Sequence, residues 1–257
     1  MSLALTATAQ TAEEYFNRGF RKIQLNNDKG AIEDLTKGIE IDPNEFAYYL
    51  RGIVKDGLDD TKGAIADFTK AIEINPNYFK AYINRGFSKY KLKDYYGAIS
   101  DYTKVLEINP NDADTFINRG NSKKDLGDNY GAIADYTKAI EINPNYFNAY
   151  FGRGVAKYKL KDYYGAISDY TKVLEINPND ADTFINRGNS KKDLKDYYGA
   201  IADYTKAIGL NPNFATAYYN RGFAKYFLED SNGACKDARK AQELGYEASD
   251  LIKDACN

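Results

Sequence analysis

Six prolines cut this chain at nearly equal intervals: Pro43, Pro76, Pro110, Pro144, Pro178 and Pro212, spaced 33, 34, 34, 34 and 34 residues apart. Seven glycines keep the same step (Gly19, Gly52, Gly86, Gly120, Gly154, Gly188, Gly222), as do seven alanines (Ala31, Ala64, Ala98, Ala132, Ala166, Ala200, Ala234). A period held this closely from residue 12 to residue 248 restricts the fold to a stack of like units. Each unit buries its apolar face only against its neighbours.

Within one period the pattern is helical twice. In 79–112, FKAYINRGFSKYKL sets Tyr82, Gly86, Lys89 and Leu92 near one face. YYGAISDYTKVLEI then sets Ala98, Ile99, Tyr102, Val105 and Leu106 on one stripe. Asp94, between them, suits the N-cap of the second helix, where its carboxylate accepts orphan backbone N–H groups. Asn109-Pro110 ends that helix, because the residue before proline is pushed out of the α region. Each unit is therefore two antiparallel helices with tight turns. Glycine in the first helix and alanine in the second predict close approach of the two backbones. A third series, Gly30, Gly63, Gly97, Gly131, Gly165, Gly199 and Gly233, immediately precedes the alanines. Glycine inside a helix costs about 1 kcal/mol against alanine. Its recurrence predicts room kept for a neighbouring ring, such as one of the Tyr95-Tyr96 pair.

Residues 89–126 recur without change at 157–194. More widely, 79–146 and 147–214 differ at ten of 68 positions: 80, 83, 84, 87, 88, 127, 129, 141, 142 and 146 of the first copy. The copied block is thus a pair of units, and what the copy adds is length.

The unit resembles a tetratricopeptide repeat, a 34-residue helix–turn–helix with the pattern W-x2-L-G-x2-Y, then A-x3-F, then P. Here Tyr82, Arg85-Gly86, Lys89, Ala98, Tyr102 and Pro110 stand at those places, in the Asn-Arg-Gly variant of bacterial members. The resemblance implies an all-α, right-handed superhelical solenoid of seven repeats: 12–44, 45–78, 79–112, 113–146, 147–180, 181–214 and 215–248. Residues 1–11 would precede it as a tail. Residues 249–257, with Leu251, Ile252, Ala255 and Cys256, would form a capping helix over the last repeat.

Two departures from the family pattern recur in every repeat. Arginine replaces the usual leucine (Arg18, Arg51, Arg85, Arg119, Arg153, Arg187, Arg221). Lysine replaces the later tyrosine (Lys22, Lys55, Lys89, Lys123, Lys157, Lys191, Lys225). The second helix answers with one aspartate per repeat (Asp34, Asp67, Asp101, Asp135, Asp169, Asp203, Asp237). A half-buried guanidinium needs a partner, and a carboxylate matches its planar fork. A structural ladder is expected, carried by residues such as Arg85, Asp101, Arg119, Asp135, Arg153 and Asp169. Pairing within a repeat and pairing between neighbours both fit the period. The rival use, a basic stripe for an acidic ligand, has the equal number of aspartates against it.

The residues offer little to chemistry. There is no histidine, so imidazole acid–base catalysis and His-based metal sites are excluded. No phosphate-binding loop or dinucleotide fingerprint is present, and NPNDAD lacks the glycine and distal glutamate of a calcium loop. No catalytic residue, cofactor or metal is expected. The formal net charge of −2 supplies no field to draw nucleic acid or anionic lipid, and no apolar run reaches the ~20 residues that span a bilayer. Cys235 and Cys256 lack zinc-ligand spacing. In an oxidising compartment they would staple the cap; in a reducing one they would be two small buried residues. The segment from Met1 to Gln10 ends in an Ala-x-Ala-like site, Ala7 to Ala9, as a trimmed secretory signal does. A secreted or periplasmic chain and a cytoplasmic one with a plain tail both remain open.

The resemblance also implies that the first (A) helices line a concave groove for an extended peptide or partner segment. Asn17, Asn84, Asn118, Asn186 and Asn220 precede the arginines there, with Leu50 and Gly152 interrupting. An amide both donates and accepts, so it can hold a peptide backbone of any sequence. This is similar to the asparagine ladders of the O-linked N-acetylglucosamine transferases. Neighbouring groove positions alternate. Phe16, Phe20 and Ile23; Phe46, Tyr49 and Ile53; Ile83, Phe87 and Tyr90; Phe151, Val155 and Tyr158; and Tyr219, Phe223 and Tyr226 are apolar. Repeats four and six place Ile117, Asn121, Lys124, Asp125 and Ile185, Asn189, Lys192, Asp193 instead. A groove banded greasy and polar is expected, with the aromatic side chains either as binding anchors or as inter-repeat packing. The family's carboxylate clamp is not matched: Ile117, Asn121, Gly152, Asp182 and Asn186 occupy its sites, and only Asn121 fits. The expected function is a non-enzymatic scaffold for a protein or peptide. The alternative is a structural protein that self-associates.

Overall fold

The computed structural model describes residues 10–256, so the signal-like stretch at residues 1–9 lies outside the described residues. The described residues form α-helices without strands. They fall into two compact units, divided between Leu126 and Gly127. The first holds α1 (Ala12–Gln24), α2 (Asp28–Ile41), α3 (Glu45–Gly57), α4 (Thr61–Ile74), α5 (Phe79–Lys91), α6 (Tyr95–Ile108) and α7 (Ala113–Leu126). The second holds α8 (Asn129–Ile142), α9 (Phe147–Lys159), α10 (Tyr163–Ile176), α11 (Ala181–Asp193), α12 (Tyr197–Leu210), α13 (Ala215–Phe227), α14 (Ser231–Glu243) and α15 (Ser249–Ala255).

In the first unit α1 packs on α2, α3 on α4 and α5 on α6, and each of α2, α4 and α6 also packs on the helix that follows. The second unit begins with α8 against α9, pairs α9–α14 in the same way, and ends with α15 against α14. Odd-numbered helices to α13 are the A helices, and even-numbered ones the B helices.

The turns follow from local chemistry. After α5, Lys93 adopts φ 62° and the Asp94 N–H donates to the Lys89 carbonyl at 2.9 Å. This is a Schellman closure. Asp94 then caps α6, accepting from the Gly97 N–H at 2.9 Å. The same cap recurs at Asp60, Asp128, Asp162, Asp196 and Asp230. The glycine before each alanine serves this cap and not a ring. A Cβ on Gly97 would collide with the Asp94 carboxylate, so the expected space for Tyr95 or Tyr96 is filled by the capping oxygen. The space for a ring lies instead at the A-helix glycine. Gly86 faces Tyr102, Gly154 faces Tyr170 and Gly188 faces Tyr204, each with a ring carbon 2.7–2.9 Å from where a Cβ would sit. Those tyrosines, with Phe68 and Leu35, are among the largest fully buried side chains.

The ladder residues join the helices of a repeat. Arg85 donates from Nε and Nη2 to both oxygens of Asp101, at 2.9 and 2.6 Å. Lys89 Nζ reaches the same carboxylate at 2.8 Å. The remaining Nη1 donates to Thr69 Oγ1 of the preceding B helix at 3.1 Å, and that hydroxyl donates to the Ile65 carbonyl. Arg153 with Asp169, Lys157 and Thr137 repeats the arrangement. So do Arg51, Arg187 and Arg221 with their own partners. The fork pairs lie within a repeat, and the third arm ties it to the one before. Arg119 donates to Thr103 within the first unit, and Asp135 is buried in the second. Each arginine also lies over the ring three residues earlier, Arg85 5.4 Å from the Tyr82 centroid. Asp101 is 2% exposed, and a carboxylate so deep is tolerated only with its charge matched and its lone pairs filled. At the first repeat the Arg18 guanidinium holds Asp34 well below the usual carboxylate range, at about 2.

The seventh repeat has Ala238 where repeats two to six place a ring. Leu251 of α15 reaches that gap, 3.3 Å from where a Cβ on Gly222 would sit. Cys235 and Cys256 are joined, with Cα atoms 5.0 Å apart, which anchors α15 to α14.

Candidate functional site

Within each unit successive A helices touch: α1 with α3, α3 with α5, α5 with α7, α9 with α11 and α11 with α13. Their shared face carries the candidate groove residues, and these divide by position. The residues three before the A-helix glycine point into the packing. Phe16 lies against Gly38 of α2. Tyr49 lies 5.1 Å from Tyr78 and 6.0 Å from Phe68, and its burial pushes the phenol pKa up. Phe151 lies 5.9 Å from Tyr170, and Tyr219 4.7 Å from Tyr246. Ile117 and Ile185, expected on the groove, are buried. In the second unit α11 packs on both α10 and α12, and Ile185 clusters with Ala200 and Tyr204, which hides more of its surface than one apolar stripe implies.

In the first three repeats the residues one beyond the glycine are open, and in the later four they are half-buried. Phe87 is 50% exposed and Phe20 43%. Phe46, near the start of α3, is 51% exposed. In the second unit Phe223 is half-buried, with Lys192 Nζ 5.5 Å from its ring centroid.

Four residues beyond the glycine, the bands are stitched together. Tyr90 donates its phenol to Asp125 of the next A helix, and Tyr158 donates to Asp193 at 2.6 Å. Burial first and then the aspartate push Tyr90 up to about 12. Tyr226, at the equivalent place in α13, sits edge-on to Phe227.

The asparagines also differ among themselves. Asn17 is exposed beside Arg18 and Arg21. Asn84 donates to the Lys80 carbonyl at 2.9 Å and to the Tyr49 hydroxyl at 3.3 Å. Asn220 donates to Asn189 Oδ1, which also accepts from the buried Tyr204 hydroxyl at 2.8 Å. Asn189 therefore satisfies a core phenol. Asn121 is half-buried in the first unit. Asn118 and Asn186 are half-buried and accept a serine hydroxyl only through their backbone carbonyls. Their side-chain amides carry no hydrogen bond among the described residues, so with the exposed Asn17 they are the members of the series with donors and acceptors to offer. Sequence reasoning missed Phe227, Asp250 and Asp254, which line a cleft with Tyr219, Phe223 and Tyr226. The only sequence signal for it was the aspartate pair four residues apart. Among the described residues no helix is long and apolar enough to cross a membrane.

Family models described as tetratricopeptide repeat match residues 47–78, 79–112 and 147–180, and one described as TPR repeat matches 120–161 and 188–227. No curated protein matches the sequence. Among solved structures, the C-terminal part of a TPR repeat-containing protein from Cytophaga hutchinsonii superposes with a TM-score of 0.79 at 20% identity. That match covers 93% of this chain and 98% of that one. MamA matches at 28% identity with a TM-score of 0.62, over 65% of this chain and 91% of its own. YrrB, described as a TPR protein with an unusual peptide-binding site, matches at 24% identity with a TM-score of 0.63, over 71% and 95%.

Proposed function

We propose a scaffold role for this chain, which belongs to the tetratricopeptide repeat family: it holds an extended peptide or partner segment against the face of its A helices. Proteins of this fold typically mediate protein–protein interaction and are generally non-catalytic. The observation that carries the finer reading is the split on that face. Aromatic side chains one beyond the glycine stay open to solvent at Phe20 and Phe87, while Asn118 in the first unit and Asn186 in the second keep unspent amides. Exposed rings supply apolar anchors, and free amides supply contacts to a peptide backbone. The peptide-binding site described for YrrB supports the same use of the fold.

Selection of linear peptides against the immobilised chain, followed by calorimetry, tests this. Replacing Asn118 and Asn186 by alanine removes two amides, each worth about 1 kcal/mol. The affinity of a selected peptide is expected to fall about tenfold or more, with the thermal melt unchanged. Failure to retain any peptide, with sedimentation that grows with concentration, would replace the reading with self-association.

A further inference from the structure

The last A helix, α13, and the terminal helix α15 enclose a cleft of ≈ 210 Å³. Tyr219, Phe223, Tyr226 and Phe227 of α13 form its aromatic side, with Phe223 and Phe227 centroids 4.8 Å apart. Asp250 and Asp254 line it from α15, beside the buried Leu251. Four residues apart, the two carboxylates share one helix face. Neither is joined to another side chain by a hydrogen bond or ion pair among the described residues.

The internal equivalents of this place are closed. Between α5 and α7, and again between α9 and α11, the aspartate of the later helix takes the phenol of the earlier one, Tyr90 to Asp125 and Tyr158 to Asp193. Tyr226 holds the same position one block further on, yet Asp250 and Asp254 leave it unbound. Two carboxylates against four rings form an acceptor for a cation: the ring faces attract it within about 6 Å, and the carboxylates pair with it. Phe223 already shows the preference, with Lys192 Nζ 5.5 Å from its centroid. That lysine faces Asp193 at 3.7 Å, so the two α15 carboxylates remain in excess. The volume is below the roughly 300–1,000 Å³ of pockets for drug-sized ligands, which suits a single side chain.

We propose that this cleft receives the ammonium or guanidinium end of a lysine or arginine side chain in the bound segment. The proposal rests on the peptide-holding reading above, and its test separates the two. The full-length, disulfide-bonded chain is titrated with Nα-acetyl-arginine amide, Nα-acetyl-lysine amide and the neutral Nα-acetyl-norleucine amide, followed by amide NMR shifts. The cationic probes should perturb α13 and α15 and bind about tenfold more tightly than norleucine. D250N/D254N alters two exposed positions and should erase that preference with the thermal melt unchanged. Equal binding of the norleucine probe, or a cation preference that survives D250N/D254N, overturns the proposal. Selected peptides that bind the double variant undiminished would leave the groove reading standing and remove this one. Cation binding as expected, with no peptide retained, would keep the cleft as a cation site and remove the groove reading.

Discussion

The two sides of an A helix obey different rules. On the packed side, each group completes the hydrogen bonding of another: Asp101 accepts from Arg85 and Lys89, and Arg85 spends its last arm on Thr69. On the open side the residues change from repeat to repeat. The two copies of the doubled block show which groups stay fixed. Of their ten differences, those at 80, 83, 84, 87 and 88 fall on one A helix, at the exposed Lys80 and Phe87 and at the buried Ser88 alike, and none alters the arginine, lysine or aspartate of the ladder. A closed set of partners admits no single change without stranding a charge, whereas the open face is free to vary with what it holds.

The largest effect that would break this contrast is at a ladder aspartate. Asp169→Ala strands Arg153 and Lys157, and should cost about 3–5 kcal/mol, seen as a large drop in the melting temperature. Phe87→Ala, on the open face, should change stability by no more than about 0.5 kcal/mol. Equal effects would remove the distinction. Glycines sharpen it next. Gly154→Ala drives a Cβ to within 2.8 Å of the Tyr170 ring, and should destabilise by about 1–3 kcal/mol. Gly209→Ala meets nothing within 4 Å and should stabilise by about 0.5–1 kcal/mol. Chemical denaturation of the two variants side by side reads both signs.

Acid probes the ladder more gently. Asp34 titrates at about 2 in the folded chain, below its unfolded value near 3.9. The depressed pKa contributes stability that is present above about pH 4 and lost as pH falls toward 2. The contribution is about 2 kcal/mol from this carboxylate. Carbon-detected NMR titration of Asp34 should give a midpoint near 2, and a midpoint near 4 would mean that the fork pair is not formed in solution.

How much of this the sequence carried depends on the link. The period, the two helices per repeat, the aspartate caps and the proline stops are all local chemistry, and they are legible in one unit. Partnering across space is less so. A 34-residue period fits pairs within a repeat as well as between repeats, so the fork from Arg85 to Asp101 and its third arm to Thr69 needed coordinates. The glycines show the same gap. Sequence marks where space is left, but not what fills it, and a capping carboxylate fills the space that a ring was expected to take at Gly97. On the groove face, Ile117 and Ile185 fell on the expected stripe yet are buried; Ile185 packs with Ala200 and Tyr204 of α12, a partnering that the stripe alone does not show. Asp250 and Asp254 lie in a terminal helix outside the period, where repetition gives no guide to their role.

Amide hydrogen exchange of the chain with and without a selected peptide tests the central claim most directly. The account predicts slowed exchange in the A helices, with α5 and α11 around Phe87 and Asn186 among them, and little change in the B helices. Protection confined to α4, α6, α10 and α12, with the A helices unchanged, would contradict it.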